Sequence, residues 1–450
     1  MGRTPWSARG PLDPLFNSQA DVGVGRGPGG PPHRAYKGVL GTAYRGVWAT
    51  MAKALFLSPE SPYPAIGGGP LRSASLLEYL SRHFSVHAIV FRQPGDPDPA
   101  GAIPPGLVDK LDILRLSHHS KHPVVRSVRN SIRIIRNRPP LFDRFSGFGN
   151  AIQKLARGQQ YEAALIEHFW CAPYVEQLRP HSKRVVLDLH NIESSWHASL
   201  AGQESGARAL ALRRFATASV ALERQWLPEF DNLLVTSADD AKAALELAPG
   251  AKVTVYPNAL PVIPPPTRLE RDEIVFSGNL EYAPNILAVR FFYYRIWSLL
   301  RTRWPNLKWK ILGKHPDAVR SIVESDPRIE LTGFVEDAVA SLATARVAVV
   351  PVLGGSGTRV KILEAWAAGT AVVSTTLGAA GLTGRDGEHL LVADEPGSFA
   401  RAVSHLLESQ ETSSRIGAAG RRLYEERYTW PAAWRTLHGV FGNDVRPGSV

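Results

Sequence analysis

The 450-residue sequence contains a single cysteine, Cys171. A disulfide framework is therefore excluded, as is a metal site built from thiolates alone. A reducing compartment, the cytoplasm, is the natural setting. Long apolar runs are missing too. The longest, such as Ala345–Leu353, are strand-sized and far below the roughly 20 residues that cross a bilayer. No export signal is expected, because Arg3, Arg9, Asp13 and Asp21 interrupt any stretch that could form its apolar segment. Acidic residues are in deficit: 41 Asp and Glu stand against 52 Lys and Arg, a formal charge of +11. Such an excess suits nucleic acid, anionic membrane surfaces or phosphorylated ligands, and does not choose among them.

Residues 1–50 are rich in Gly, Pro and Arg and show no apolar period, so a disordered extension is expected. They carry six basic residues against Asp13 and Asp21. They have no RGG repeat and little interleaved aromatic content, so a spacer is expected and a nucleic-acid partner is not. From Met51 onward, short apolar runs alternate with longer helical segments. That alternation predicts an α/β protein with parallel sheets and right-handed crossovers. In the first half the predicted strands are Ala52–Ser58, Ser85–Phe91, Glu162–Phe169, Arg184–His190, Asn232–Ser237 and Lys252–Tyr256. In the second they are Glu273–Ser277, Leu307–Leu312, Ile329–Thr332, Arg346–Pro351, Ala371–Ser374 and His389–Val392. Ile286, Val289, Tyr293, Ile296 and Leu300 recur with a helical period and predict one packing stripe. The proline-rich PVIPPPTRLERD marks a break between halves. The expected domains are 51–258 and 273–413, joined by a linker at 259–272. Closing helices follow at 414–441 and a tail at 442–450.

Two open sheets in tandem place a ligand in the cleft between them, beyond the carboxyl ends of the strands. The strongest local signal is VVPVLGGSGTRVKILEAWAAGTAVVST at 349–375. A strand ends at Pro351, a turn follows at Gly354, Gly355, Ser356 and Gly357, and a helix begins near Thr358. Backbone N–H groups in such a turn, with the positive end of the helix dipole, suit an anion. Arg359 and Lys361 flank Val360 in the first helical turn, where cations are electrostatically misplaced. A bound diphosphate would neutralise both. Glu364 lies further along the same helix and can accept two hydroxyl hydrogen bonds, as a ribose offers.

Residues 273–400 resemble the C-terminal domain of glycosyltransferase family 4. The likeness rests on FSGNLEYAPN, KWKILGKHP, IELTGFVED and the GTRVKILEAWAAGTAVVST run, and extends more weakly over 51–440. It implies a GT-B fold: two Rossmann-like doubly wound domains facing across a cleft. It also implies a retaining transferase that uses a nucleoside-diphosphate sugar as co-substrate, with no cofactor and no metal. In that family the second of two glutamates eight positions apart holds the ribose, and it matches Glu364. The first, which touches the sugar, falls at Ser356, so sugar recognition departs from the family pattern. The family's Arg and Lys in the turn after the first C-domain strand are also missing. Here that turn reads Gly278-Asn279-Leu280-Glu281-Tyr282, which leaves diphosphate neutralisation to Arg359 and Lys361. Phe334 and Val335 match the segment that meets the nucleobase. Gly67, Gly68 and Gly69 match the loop that closes over the donor phosphates. His190 matches the family's cleft histidine near the transferred sugar, where it orients the sugar or supports developing charge.

Residues 115–144 are strongly basic. Arg126, Arg129, Arg133 and Arg136 recur at helical spacing, with Val125, Val128, Ile132 and Ile135 on a partly separate face. This segment suits an anionic membrane surface or a lipid-diphosphate acceptor, and equally a solvated helix face. Arg415–Phe441 resembles the family's closing helices, with Trp430 and Trp434 as packing anchors. The expected function is sugar transfer to a glycan or lipid-linked acceptor in surface polysaccharide assembly, by a protein peripheral to the inner membrane face. Two alternatives share the fold: epimerisation of a UDP-sugar, and sugar-nucleotide or polyanion binding without catalysis.

Overall fold

The computed structural model describes residues 51–118, 122–269, 271–354 and 360–442. The expected extension at 1–50, the end of the tail at 443–450, and Gly355, Ser356, Gly357, Thr358 and Arg359 lie outside the described residues. The fold is the expected α/β pair of Rossmann-like sheets. The first contains β1 (Lys53–Ser58), β2 (Ser85–Arg92), β3 (Lys110–Arg115), β4 (Ala163–Glu167), β5 (Val185–Asp188), β6 (Asn232–Val235) and β7 (Val253–Val255). Its order is β3-β2-β1-β4-β5-β6-β7, with every pairing parallel. The second contains β8 (Arg271–Ser277), β9 (Lys308–Leu312), β10 (Ile329–Gly333), β11 (Ala345–Val350), β12 (Ala371–Ser374) and β13 (Leu391–Val392). Its order is β10-β9-β8-β11-β12-β13, again parallel.

The inner strands are buried on both faces, as their continuous apolar runs require. Strand β3 has no counterpart among the predicted strands. Its sequence, KLDILR, carries charge at three of six positions, and it lies half-exposed at the sheet edge. An edge strand needs no run of apolar residues, so its sequence signal is weak. The packing stripe of the second half also shifts. Helix Ala283–Phe291 passes through a π-helical stretch, Phe292–Trp297, into helix Ser298–Arg303. The wider turn rotates the later residues, so Phe292 and Trp297 are buried with Val289, Ile296 and Leu300, whereas Ile286 and Tyr293 are only half-buried.

The last long helix, Gln410–Arg427, lies so close to the donor sheet that a Cβ on Gly417 would sit 2.1 Å from the Gly369 carbonyl oxygen. The chain then returns to the first domain. Trp434 Nε1–H donates to the Ser75 carbonyl at 3.1 Å, and Trp430 Nε1–H donates to the Ala259 carbonyl at 3.2 Å. Strand order reverses between β1 and β4 and again between β8 and β11, which opens a crevice at the carboxyl end of each sheet. No helix among the described residues is long and apolar enough to cross a membrane.

Candidate functional site

The donor-side crevice starts where β8 ends, at Ser277. Three successive strand ends are tied in a row: Gly278 N–H donates to the Leu312 carbonyl, and Gly313 N–H to the Gly333 carbonyl. A Cβ on Gly313 would lie 1.7 Å from the Gly278 carbonyl oxygen, so only glycine permits this approach. At Gly278 a Cβ would lie 2.8 Å from Asn285 Nδ2 and 3.1 Å from Lys361 Nζ. Lys361 donates to Asn285 Oδ1 at 2.7 Å, and Asn285 Nδ2 donates to the Asn279 carbonyl at 2.7 Å. The ammonium also sits 4.3 Å from the Phe276 ring centroid. The Lys361 ammonium thus occupies the turn after β8 that has no basic residue of its own.

Lys361 belongs to helix Val360–Ala367, whose Ile362, Leu363, Ala365 and Trp366 are buried. Glu364, three residues on, lies half-buried on the same side of the helix as Lys361. Burial pushes its carboxyl up to about 7, against the Lys361 charge and a hydrogen bond from Ser277. At the edge of the same crevice, Phe334 is 44% exposed and the Lys314 ammonium lies 5.2 Å from its ring centroid. Val335 packs, half-buried, on the core. Gly354 is buried at the start of the glycine turn.

The facing crevice belongs to the first domain. Helix Gly68–His83 begins there with no acidic residue in its first turn, so its dipole end is uncompensated. Gly67 takes a positive φ of 96° at its cap. A Cβ on Gly68 would lie 3.5 Å from Val360 Cγ2, so the glycine loop and the donor helix meet across the cleft. A Cβ on Gly69 would lie 3.3 Å from Glu60 Oε1 and 3.7 Å from His190 Nδ1.

His190 follows β5, and its Nε2 is 2.9 Å from Glu167 Oε2 and 3.1 Å from Asp188 Oδ2. Both carboxylates sit at strand ends and are fully buried. Arg72 clamps Asp188 through Nε (2.8 Å) and Nη2 (2.5 Å), and its Nη1 donates to the Tyr256 carbonyl at 2.6 Å. The Ser73 hydroxyl donates to Glu167 Oε2 at 2.5 Å. Burial opposes charge on His190, but Asp188 and Glu167 outweigh it and push its pKa up to about 9. Its Nδ1 is the nitrogen facing Gly69 and Glu60. Burial pushes the Glu60 carboxyl up to about 7, with His190 opposing and Glu167 adding to the shift. His168, at a φ of 63°, stacks on His190 with ring centroids 3.5 Å apart. Burial and the His190 charge keep it neutral.

Glu167, His168 and His190 each offer one ligand atom within 4.8 Å of the others. The two imidazoles stack with 29° between their planes. His190 Nε2 is also committed to two carboxylates. The arrangement is a charge network.

The structure therefore groups Gly68, Gly69, His190 and Val360 at the cleft, and Gly278, Asn279, Lys361 and Glu364 at the donor crevice. Glu60, Arg72, Glu167, His168, Asn285 and Lys314 are absent from the sequence-based site. Glu167 carried a signal, as an acid ending an apolar strand; the others become visible only through contacts between distant segments.

Known proteins show the same organisation. Residues 271–409 match the family model Glycosyl transferases group 1. The chain is 21% identical over 373 residues to an uncharacterized 44.6 kDa protein in the cps region of Klebsiella pneumoniae, covering 78% of this chain and 90% of that one. It is 34% identical over 125 residues to phosphatidyl-myo-inositol mannosyltransferase of Mycobacterium leprae, covering 27% and 33%. Among solved structures, sucrose-phosphate synthase from Thermosynechococcus elongatus superposes with a TM-score of 0.64 at 18% identity, over 86% of this chain and 97% of that one. The Anabaena protein HepE, in complex with UDP and glucose, superposes with a TM-score of 0.57 at 12% identity, over 86% and 98%.

Proposed function

We propose that this chain, a GT-B glycosyltransferase carrying a glycosyl transferases group 1 domain at 271–409, moves a sugar from a nucleoside-diphosphate donor to a glycan or lipid-linked acceptor with retention of anomeric configuration, in surface polysaccharide assembly. The observation that carries this reading is the Lys361 ammonium lodged against Gly278 and Asn285. It gives the diphosphate a cation at the β8 turn. Glu364, on the same side of the helix, takes the ribose hydroxyls, and Phe334 with Val335 meets the base. The glycine loop at 67–69 covers the phosphates with backbone N–H groups and a helix dipole. HepE, in complex with UDP and glucose, has the same fold.

His190 acts here as a hydrogen-bond donor and a positive charge. A group with a pKa of about 9 is protonated at neutral pH and has no lone pair to accept the acceptor's proton. Its Nδ1–H faces the cleft beside Glu60, where it steadies the sugar and the developing charge. The leaving phosphate takes the acceptor proton on the same face as attack, which retains configuration. Glu60 supplies the sugar-side carboxyl that Ser356 does not.

Membrane docking at 115–144 takes a form different from an arginine stripe. In helix Pro123–Ile135, Arg133 turns inward to pair with Asp143 at 3.0 Å, while Val124, Val125, Val128, Ile132 and Ile135 are exposed. The Arg126 side chain lies outside the described residues. An exposed apolar stripe flanked by Arg136 and Arg138 suits the headgroup region of an anionic bilayer. Cosedimentation with phosphatidylglycerol vesicles should fall in Val128→Asp/Ile132→Asp; undiminished binding would sink the docking idea.

A panel of nucleoside-diphosphate sugars tests the whole reading. Donor hydrolysis or transfer to an acceptor is expected. A new sugar epimer, or binding without turnover of any donor, would refute it.

A further inference from the structure

The first domain encloses a chamber that the donor machinery does not use. It holds about 890 Å³ of empty space, counting its open mouth. Its walls are Phe142, Trp170, Trp196, Leu200 and Leu212, and Leu287 of the second domain closes one side. This is a lining suited to an apolar occupant.

Two observations tie the chamber to the transfer site, and a third ties it to the exposed apolar helix. The rings form a ladder: His190 stacks on His168 at 3.5 Å, and His168 on Trp170 at 4.2 Å. The chamber wall is thus two stacked rings from the cleft histidine. One helix, Ala283–Phe291, carries both Asn285 of the Lys361 cradle and Leu287 of the chamber. Pro139 and Pro140, at the chamber's edge, follow the helix with the exposed apolar stripe after three intervening residues.

The interior is built to stay uncharged. Glu193 accepts a hydrogen bond from Trp170 Nε1 at 3.0 Å, and burial pushes its carboxyl up to about 8, with Glu223 adding to the shift. His197 is pushed down to about 4 by burial. At neutral pH both are neutral. Arg208 and Glu204, also in the lining, pair with each other at 3.2 Å. A phosphate would find no unpaired cation among these groups; a hydrocarbon chain would find aromatic and aliphatic walls.

We infer that this chamber holds the hydrocarbon portion of a lipid-linked acceptor, whose sugar or hydroxyl end then faces His190. The inference rests on the reading of the cleft as a transfer site, and it selects the lipid-linked acceptor over a free glycan.

Trp170 and Trp196 provide a readout independent of turnover. The full chain is titrated with decyl β-glucoside below its micelle concentration, and with methyl β-glucoside as control, following tryptophan fluorescence. Saturable binding of the decyl compound alone is expected. Leu200→Trp, which narrows the chamber, and Trp196→Ala, which removes a wall, should each weaken it by about tenfold or more. Both sites are half-buried, and circular dichroism with unchanged UDP affinity checks that each variant is folded. Equal binding of the two glucosides, or decyl binding unaffected by both substitutions, overturns the inference. A protein that binds the decyl glucoside but turns over no donor would instead refute the transfer reading, so the two failures are distinguishable.

Discussion

Replacing Lys361 by Met isolates the cation from everything else the side chain does. Met keeps a flexible apolar stem against Phe276 and removes only the ammonium, now 2.7 Å from Asn285 Oδ1 and 4.3 Å from the ring centroid. Two unit charges 4 Å apart near a protein surface interact by about 4 kcal/mol. Lys361 is only half-buried, so solvent screening lowers that figure. A charged hydrogen bond of about 2–3 kcal/mol remains, which corresponds to a rise in nucleotide Kd of roughly 30- to 150-fold. The stability change runs the other way or nearly vanishes. A cation in the first helical turn opposes the dipole by about 0.3–1 kcal/mol, so its removal offsets the loss of the Asn285 contact. Calorimetry with UDP, GDP and ADP identifies the preferred nucleotide, and its nucleoside then serves as control. Lys361→Met should lose the nucleotide's advantage over the nucleoside while its unfolding temperature stays close to that of the unsubstituted chain. Nucleotide affinity within threefold of the original, in a folded variant, would refute the placement of the diphosphate at the β8 turn.

Glu364 sets a pH dependence on the same site. With its carboxyl at about 7, the form that accepts ribose hydroxyl bonds is present above that pH and lost below it. Affinity for a nucleotide sugar, whose phosphates do not titrate near neutrality, should therefore weaken by about tenfold from pH 8 to pH 6. Glu364→Gln should flatten the profile, and an unchanged slope would remove Glu364 from the ribose site. His190 should appear in 15N spectra as an imidazolium at pH 8, titrating near 9 and missing from His190→Gln. Its raised pKa stabilises the fold fully below the unfolded value of about 6.5, and that contribution is lost as pH rises through 9. A neutral ring at pH 8 would restore it as a candidate base. Arg72→Met leaves Asp188 fully buried without its clamp, and urea unfolding should show a loss of about 3–5 kcal/mol; a loss under 1 kcal/mol would mean the pair is not what holds the strand ends together.

What could be read from the sequence follows the range of the contacts involved. The central strands declare themselves because burial on both faces demands apolar residues, and burial is a local property of the run. Strand β3 does not, because an edge position tolerates Lys110, Asp112 and Arg115. Lys361 and Glu364 were legible since both belong to one helix and their spacing sets their geometry. The Arg72–Asp188 clamp joins residues 116 apart in sequence, and nothing near either one marks the partner. The same holds for Arg133, which read as part of a cationic stripe until Asp143 was found to draw it inward. On the same helix Val124, Val125, Val128, Ile132 and Ile135 face solvent.

The missing donor glutamate is the case where sequence and structure together lead further than either. At Ser356 the resemblance loses its sugar-gripping carboxyl, and the sequence names no replacement. The β1–β4 reversal brings one in from the opposite domain. Glu60, on the loop after β1, has an oxygen 3.3 Å from the point where His190 Nδ1 lies at 3.7 Å. A carboxyl and an imidazolium therefore converge on one spot beside the glycine loop. A carboxylate at this spot would repel the donor diphosphate, but burial pushes the Glu60 carboxyl up to about 7, so about half of it is protonated at neutral pH. It can then donate one hydrogen bond to a sugar hydroxyl and accept another without adding a full negative charge. The proposed role of Glu60 would place sugar recognition on the first domain, opposite the donor helix. Replacing Glu60 by Gln should then weaken turnover of the nucleotide sugar more than binding of the free nucleotide, and equal loss of both would remove Glu60 from the sugar side.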